Sequence, residues 1–177
     1  MLRLVQGDVG SGKTIVALLA ALAAVDGGWQ AAVMAPTEIL AEQHKLSFSQ
    51  WFSHLDIHVD WLVGRHTAKQ KKDILQKLAD GSIQILLGTH AVFQDTVEFN
   101  RLGLVIIDEQ HRFGVDQRLA LRNKGNDQFT PHQLVMTATP IPRTLAMSAY
   151  GDLDTSVIDE LPPGRTPIQT VTIPLDR

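Results

Sequence analysis

Short apolar runs and longer amphipathic runs alternate from the first residues of this chain. Leu2 to Val5 reads as a buried strand, and Lys13 to Val25, rich in alanine and leucine, reads as a helix stopped at Asp26-Gly27-Gly28. Ala31 to Met34 is a second strand. Thr37 is then placed to cap a helix on which Phe48, Trp51, Phe52 and Leu55 recur three or four apart, a spacing that predicts one core-facing stripe. Ile57 to Val63 alternates as a third strand, Thr67 to Ala79 reads as a helix with Ile74, Leu75 and Leu78 inward, and Ile83 to Leu87 follows the Asp80-Gly81 turn as a fourth strand. Leu104 to Ile107 is a continuous, largely β-branched run of the kind covered on both faces of a parallel sheet. Val115 to Lys124 reads as a helix, Gln133 to Met136 as a strand, Pro142 to Tyr150 as a short helix and Thr155 to Ile158 as a last strand. This alternation, with no internal repeat, predicts an α/β domain over residues 1–158, with right-handed crossovers. The prolines between Leu161 and Pro167 make 159–177 a linker.

Composition narrows the class. The 177 residues suffice for one domain, and a net charge of −3 supplies no bulk attraction for nucleic acid, so any such contact must be local. Lys69, Lys71, Lys72 and Lys77 share one helix, but Asp73 and Asp80 interrupt them, which favours a solvated face over a DNA track. Trp51 and Trp61 are read as packing residues before base-stacking ones. Without cysteine there is neither a disulfide framework nor a thiolate metal site. The longest apolar stretch, Ile15 to Val25, falls short of the roughly 20 residues that span a bilayer, and no signal peptide is visible. A soluble, cytoplasmic monomer is expected, with no membrane partner.

The chemistry begins between the first strand and the first helix, with Gly7-Asp8-Val9-Gly10-Ser11-Gly12-Lys13-Thr14. This spacing, G-x-x-x-x-G-K-S/T, lets backbone N–H groups curl around phosphate oxygens at a helix N-terminus. Lys13 is expected to reach the β- and γ-phosphates of a nucleotide and the Thr14 hydroxyl to ligate Mg²⁺. Asp108 ends an apolar strand and fits a second ligand to that Mg²⁺, usually through water, while Glu109 is the candidate general base for the attacking water. Gln110 and His111 either sense the γ-phosphate, handing its state to Thr137 and Thr139, or serve as ordinary structural residues. Pro36, Thr37, Thr89 and His90 also follow strands, at the sheet edge where α/β proteins collect ligands.

Five stretches in this order resemble those of the superfamily 2 helicases and translocases. Gly7 to Thr14 is similar to motif I, Ala35-Pro36-Thr37-Glu38 to motif Ia, Gly88-Thr89-His90 to motif Ib, Asp108-Glu109-Gln110-His111 to motif II, and Thr137-Ala138-Thr139-Pro140-Ile141-Pro142-Arg143-Thr144 to motif III with the helix after it. Gln110, together with Tyr150-Gly151-Asp152-Leu153 running on to Leu161-Pro162-Pro163-Gly164-Arg165, resembles the bacterial branched-DNA helicases more than the related transcription-repair coupling translocases, which share a stretch similar to His111-Arg112-Phe113-Gly114. The resemblance implies a three-layer P-loop NTPase (RecA-like) lobe with a central mostly parallel sheet flanked by helices. It further implies ATP and Mg²⁺ as cofactors, and branched or duplex DNA contacted near Pro36, Thr37, Thr89 and His90. A wedge domain and a second RecA-like lobe, lying outside these residues, are the expected partners. The second lobe would supply an arginine finger, worth ~10³ to 10⁵ in rate in related enzymes.

Two other readings stay open on the residues alone. Asn123-Lys124-Gly125-Asn126 superficially matches a guanine-reading pattern, with Asn126 where an aspartate is needed, and would suit a GTPase or small-molecule kinase. A lone lobe could also hold nucleotide or DNA without turning anything over.

Overall fold

The computed structural model describes residues 1–108, 130–139 and 153–160. In chain order the elements are β1 (Leu2–Gly7), α1 (Lys13–Asp26), β2 (Gln30–Met34), α2 (Glu38–Trp51), β3 (Val59–Leu62), α3 (Ala68–Ala79), β4 (Ile85–Gly88), a single 3₁₀ turn (His90–Phe93), β5 (Leu102–Asp108), β6 (His132–Thr137) and β7 (Asp154–Ile158). The seven strands form one sheet in the order β3-β4-β2-β5-β6-β1-β7, and every pairing among the described residues is parallel. The helices expected over 115–124 and 142–150 lie outside the described residues, as does 161–177 of the expected linker.

Alternation along each strand separates two cores. Leu4, Ala32, Met34, Val105, Ile107 and Val135 face one side, where Ile74 and Leu78 of α3 and Val92 and Phe93 of the 3₁₀ turn cover them. Val5, Ala31, Val33, Leu104, Ile106, Leu134 and Met136 face the other, under Ala17, Leu18 and Ala21 of α1 and Phe48 of α2. Both faces of the central strands are therefore dry, which is why the middles of these strands are runs of apolar residues rather than alternating ones. The result is three layers, helix, sheet and helix.

Crowding fixes one glycine at the end of β4. A Cβ on Gly88 would run into the Leu62 carbonyl oxygen of β3 and lie 2.6 Å from Val92 Cγ2, so only glycine lets the chain turn from strand into the 3₁₀ turn there. The register pairs Leu62 with Gly88 and Met34 with Gly88, which holds the ends of β3, β4 and β2 level.

The stripe expected on α2 is half right. Phe48 and Phe52 are buried and meet edge to face with ring centroids 5.8 Å apart, but Trp51 is 61% exposed and Leu55 47% exposed. Ala41, Phe48 and Phe52 define the inward line of the helix, and at about 100° per residue Trp51 falls some 80° off it. Leu55 lies beyond the helix end. Lys69, Lys72 and Lys77 are exposed on α3, the solvated face the sequence predicts, and Lys77 pairs with Asp73 at 2.8 Å.

Candidate functional site

A wholly parallel sheet gathers the carboxyl ends of its strands along one edge, and the strand order sorts the candidate residues on that edge. From one side to the other it presents Thr89 and His90 after β4, Pro36 and Thr37 after β2, Asp108 on β5, Thr137 on β6 and the glycine loop after β1. The candidates for phosphate and cation occupy one half and those for DNA the other. Gln6 is level with Thr137, and Asp108 with Met136, so Asp108 and the root of the loop flank β6. With strands about 4.8 Å apart, that separates their backbones by about 10 Å across the sheet.

The loop is shaped by its small residues. Gly10 and Gly12 have φ of 82° and 95°, left-handed values that side chains resist, and Gly12 caps α1 in that conformation. A Cβ on Gly7 would lie 2.5 Å from Ser11 Oγ and 3.0 Å from Ile158 Cβ, so the loop closes over a bare backbone. Ser11 N–H donates to the Asp8 carbonyl at 3.1 Å and closes the turn. Lys13 Nζ donates to the carbonyls of Gly7 and Asp8, each at 2.8 Å, which folds its ammonium back over the loop. Ser11 Oγ is buried with no hydrogen-bond partner among the described residues. Lys13 and Thr14 open α1, whose first N–H groups have no partner inside the helix and carry the positive end of its dipole.

Asp108 has a partner that the sequence reading passed over. His44 Nε2 lies 2.8 Å from Asp108 Oδ2, both side chains mostly buried. A carboxylate oxygen only accepts, so Nε2 is the donor. His44 stands between buried Ala41 and Phe48 at helical spacing, so its side chain is carried on the inward flank of α2. That was the available signal: a polar residue on a packed helical line needs a partner, and Asp108 is it.

On the other half of the edge, Thr37 caps α2, its hydroxyl accepting from Leu40 N–H at 3.3 Å. Pro36 is half-buried and His90 exposed, whereas Thr89 is 6% exposed and offers little side-chain surface to a ligand. A cavity of about 160 Å³ opens here, lined by Glu38, Gly64, Lys71, Thr89, His90 and Gln94 among others. Trp61 is half-buried against the guanidinium of Arg65, 4.8 Å from its ring, which suits packing rather than base stacking. Two larger cavities among the described residues, about 690 and 530 Å³, open at the amino ends of the strands and are lined by none of these residues. Their size does not make them the site, because the convergent polar groups lie at the opposite edge.

Thr137 is buried, and its hydroxyl accepts from Thr139 N–H at 3.1 Å. Glu109, Gln110 and His111 lie outside the described residues, as does Asn123 to Asn126. No group of three or more His, Cys, Asp or Glu among the described residues is arranged to hold a metal by itself. No described helix is long and apolar enough to cross a membrane.

Comparison with known proteins agrees with this fold. The family model described as DEAD/DEAH box helicase matches residues 3–148. The chain is similar to ATP-dependent DNA helicase RecG of Pasteurella multocida, 65% identical over 178 residues covering 100% of this chain, and of Escherichia coli strain K12, 66% identical over 175 residues covering 98%. It spans 26% and 25% of the length of those relatives. A solved structure described as RecG bound to a three-way DNA junction superposes with a TM-score of 0.80 at 50% identity, covering 99% of this chain and 23% of the other. With a family match over residues 3–148, the chain belongs to the DEAD/DEAH box helicase family.

Proposed function

We propose that this chain is the ATP-binding motor lobe of an ATP-dependent DNA helicase that remodels branched DNA. The observation that carries the reading is the shared edge, with the glycine loop and Asp108 flanking β6 at a separation of about 10 Å. That span leaves room for a cation that Asp108 and the Thr14 hydroxyl would hold. The residues present fit the groups: Ser11 Oγ is a buried polar atom with no described partner in the loop, and Lys13 holds its ammonium beside the same loop. Bound MgATP would supply the transferable γ-phosphoryl group and the cation that neutralises its charge.

The chain's own residues then divide the work. The backbone of Gly7 to Thr14 would surround the phosphates, and Lys13 would exchange its two carbonyl partners for phosphate oxygens, contacts in which donor and acceptor are both charged. Thr14 and Asp108 would hold the cation, and Glu109 would accept the proton of the attacking water. Gln110, His111, Thr137 and Thr139 relay the state of the site toward Pro36, Thr37, Thr89 and His90. Contacts there are to phosphodiester groups, which a translocase needs because they carry no sequence information. The DNA junction in the related solved structure supports branched DNA as the partner, and the share of the relatives this chain spans supports further domains of the same protein.

In the full-length protein, Glu109→Gln should abolish DNA-stimulated ATP hydrolysis, by ~10² or more as expected for a lost general base, while nucleotide binding persists. Unchanged turnover would remove Glu109 from that role. ATP should compete for the site better than GTP, and the reverse order would favour a GTPase instead.

A further inference from the structure

The His44–Asp108 contact joins a residue with no assigned task to the carboxylate proposed for the cation. Three features argue against ordinary packing. The contact is short, 2.8 Å, and lies mostly out of solvent, with 11% and 15% of the two side chains exposed. It bridges residues 64 positions apart, from the middle of one helix to the last residue of a central strand. It also engages only Oδ2, so the imidazole fixes the rotation of the carboxylate and leaves Oδ1 as the oxygen for a cation or its water.

Fixing that rotation matters because an aspartate at a strand end turns readily about its last bond, whose energy wells are broad. A ligand oxygen that wanders binds a cation more weakly than one held in place, and partners that orient metal ligands typically contribute 10–100-fold in metal affinity. The position of His44 suits the purpose. Its helix is anchored at Thr37 by the cap and along Ala41, Phe48 and Phe52 by burial, so the imidazole is presented from a rigid element.

We propose that His44 is a positioning residue for Asp108, its Nε2–H holding Oδ2 so that Oδ1 is directed to the cation of a bound nucleotide. The inference rests on the nucleotide reading above, and its test separates the two. Binding of a non-hydrolysable ATP analogue is measured in EDTA and then with Mn²⁺, whose free concentration is read by electron paramagnetic resonance. The proteins compared are the unaltered chain, His44→Gln, which keeps an N–H donor at similar reach, and His44→Ala and His44→Leu, which do not. Expected is a loss of about tenfold or more in Mn²⁺ affinity for the Ala and Leu variants, with metal-free analogue binding within about twofold of the unaltered chain. His44→Gln should recover most of the loss. Unchanged or tightened Mn²⁺ affinity in Ala and Leu, a Gln variant no better than Leu, or loss of metal-free binding in both donor-less variants would each overturn the proposal, the last by showing a purely structural role. Failure of the unaltered chain to bind the analogue at all would overturn the nucleotide reading and this inference with it.

Discussion

Gln30 shows how a single polar side chain can lock distant parts of this fold. It is 4% exposed, and all its hydrogen-bonding groups in contact with the chain are matched: Nε2 donates to the carbonyls of Leu78 at 2.9 Å and Ile83 at 2.7 Å, and Oε1 accepts from Arg101 N–H at 2.9 Å. The three bonds tie the end of α3, the approach to β4 and the approach to β5 to the first residue of β2. Gln30→Leu keeps the bulk but strips the side-chain partner from the Ile83 carbonyl and the Arg101 N–H, and one of two donors from the Leu78 carbonyl, which keeps the Gly81 N–H. A loss of about 2–3 kcal/mol is expected, at the upper end for a buried group left unsatisfied, and urea unfolding monitored by circular dichroism would read it. Nothing in the local sequence marks Gln30, since its partners are 48 to 71 residues away. The glycine loop is the opposite case, because spacing alone carries its geometry and the positive φ at Gly10 and Gly12 follows from residue type. His44 lies between these extremes: its inward position is readable from helical spacing, its partner only from the sheet order.

At the scale of elements, boundaries follow the caps. Thr67 and Gln70 form a reciprocal capping box at the start of α3, with Thr67 Oγ1 accepting from Gln70 N–H and Gln70 Oε1 accepting from Thr67 N–H at 2.9 Å. At its other end Asp80 Oδ1 accepts from Ser82 N–H at 2.8 Å and braces the turn into β4. The Ser82 side-chain hydroxyl and then its backbone N–H hold the Asp80 carboxyl below the usual aspartate range, with Lys77 adding a smaller pull the same way. Because the folded-state value is the lower one, this contribution to stability is present above the ordinary aspartate range and is lost as pH falls through the folded-state value. Asp80→Asn should therefore lower Tm slightly at neutral pH and make no difference in strong acid; a Tm gap that persists in acid would contradict the account. Strand existence and order of elements were legible because buried parallel strands carry continuous apolar runs through their middles. The ends were less so: β1 runs on to Gly7 and β5 to Asp108, two residues and one residue past their apolar runs, because ladder pairing with β7 and β6 continues where hydrophobicity stops. Trp51 shows the limit of spacing as evidence, since it stands three residues from buried Phe48 yet about 80° from the line of Ala41, Phe48 and Phe52.

For the whole molecule, what the sequence could not give was lateral order. Read along the chain, the glycine loop and Asp108 are about a hundred residues apart, and only the sheet order brings them to either side of one strand. The same order places the candidates for DNA beside β2 and β4, on the far side of β5 from the glycine loop, with Thr137 between loop and aspartate. The site is thus a property of topology, assembled by strands that are inserted between earlier ones.

The central claim is that the glycine loop and Asp108 grip one nucleotide and its cation together. Calorimetric titration of a non-hydrolysable ATP analogue into this chain, with and without Mg²⁺, tests it in one set of runs. Lys13→Ala should lose binding in both conditions, by about tenfold or more for a charge-assisted phosphate contact, and Asp108→Asn should bind normally without Mg²⁺ yet forfeit most of the gain that Mg²⁺ brings. Binding to Lys13→Ala as tight as to the unaltered chain, or an undiminished Mg²⁺ gain in Asp108→Asn, would contradict it.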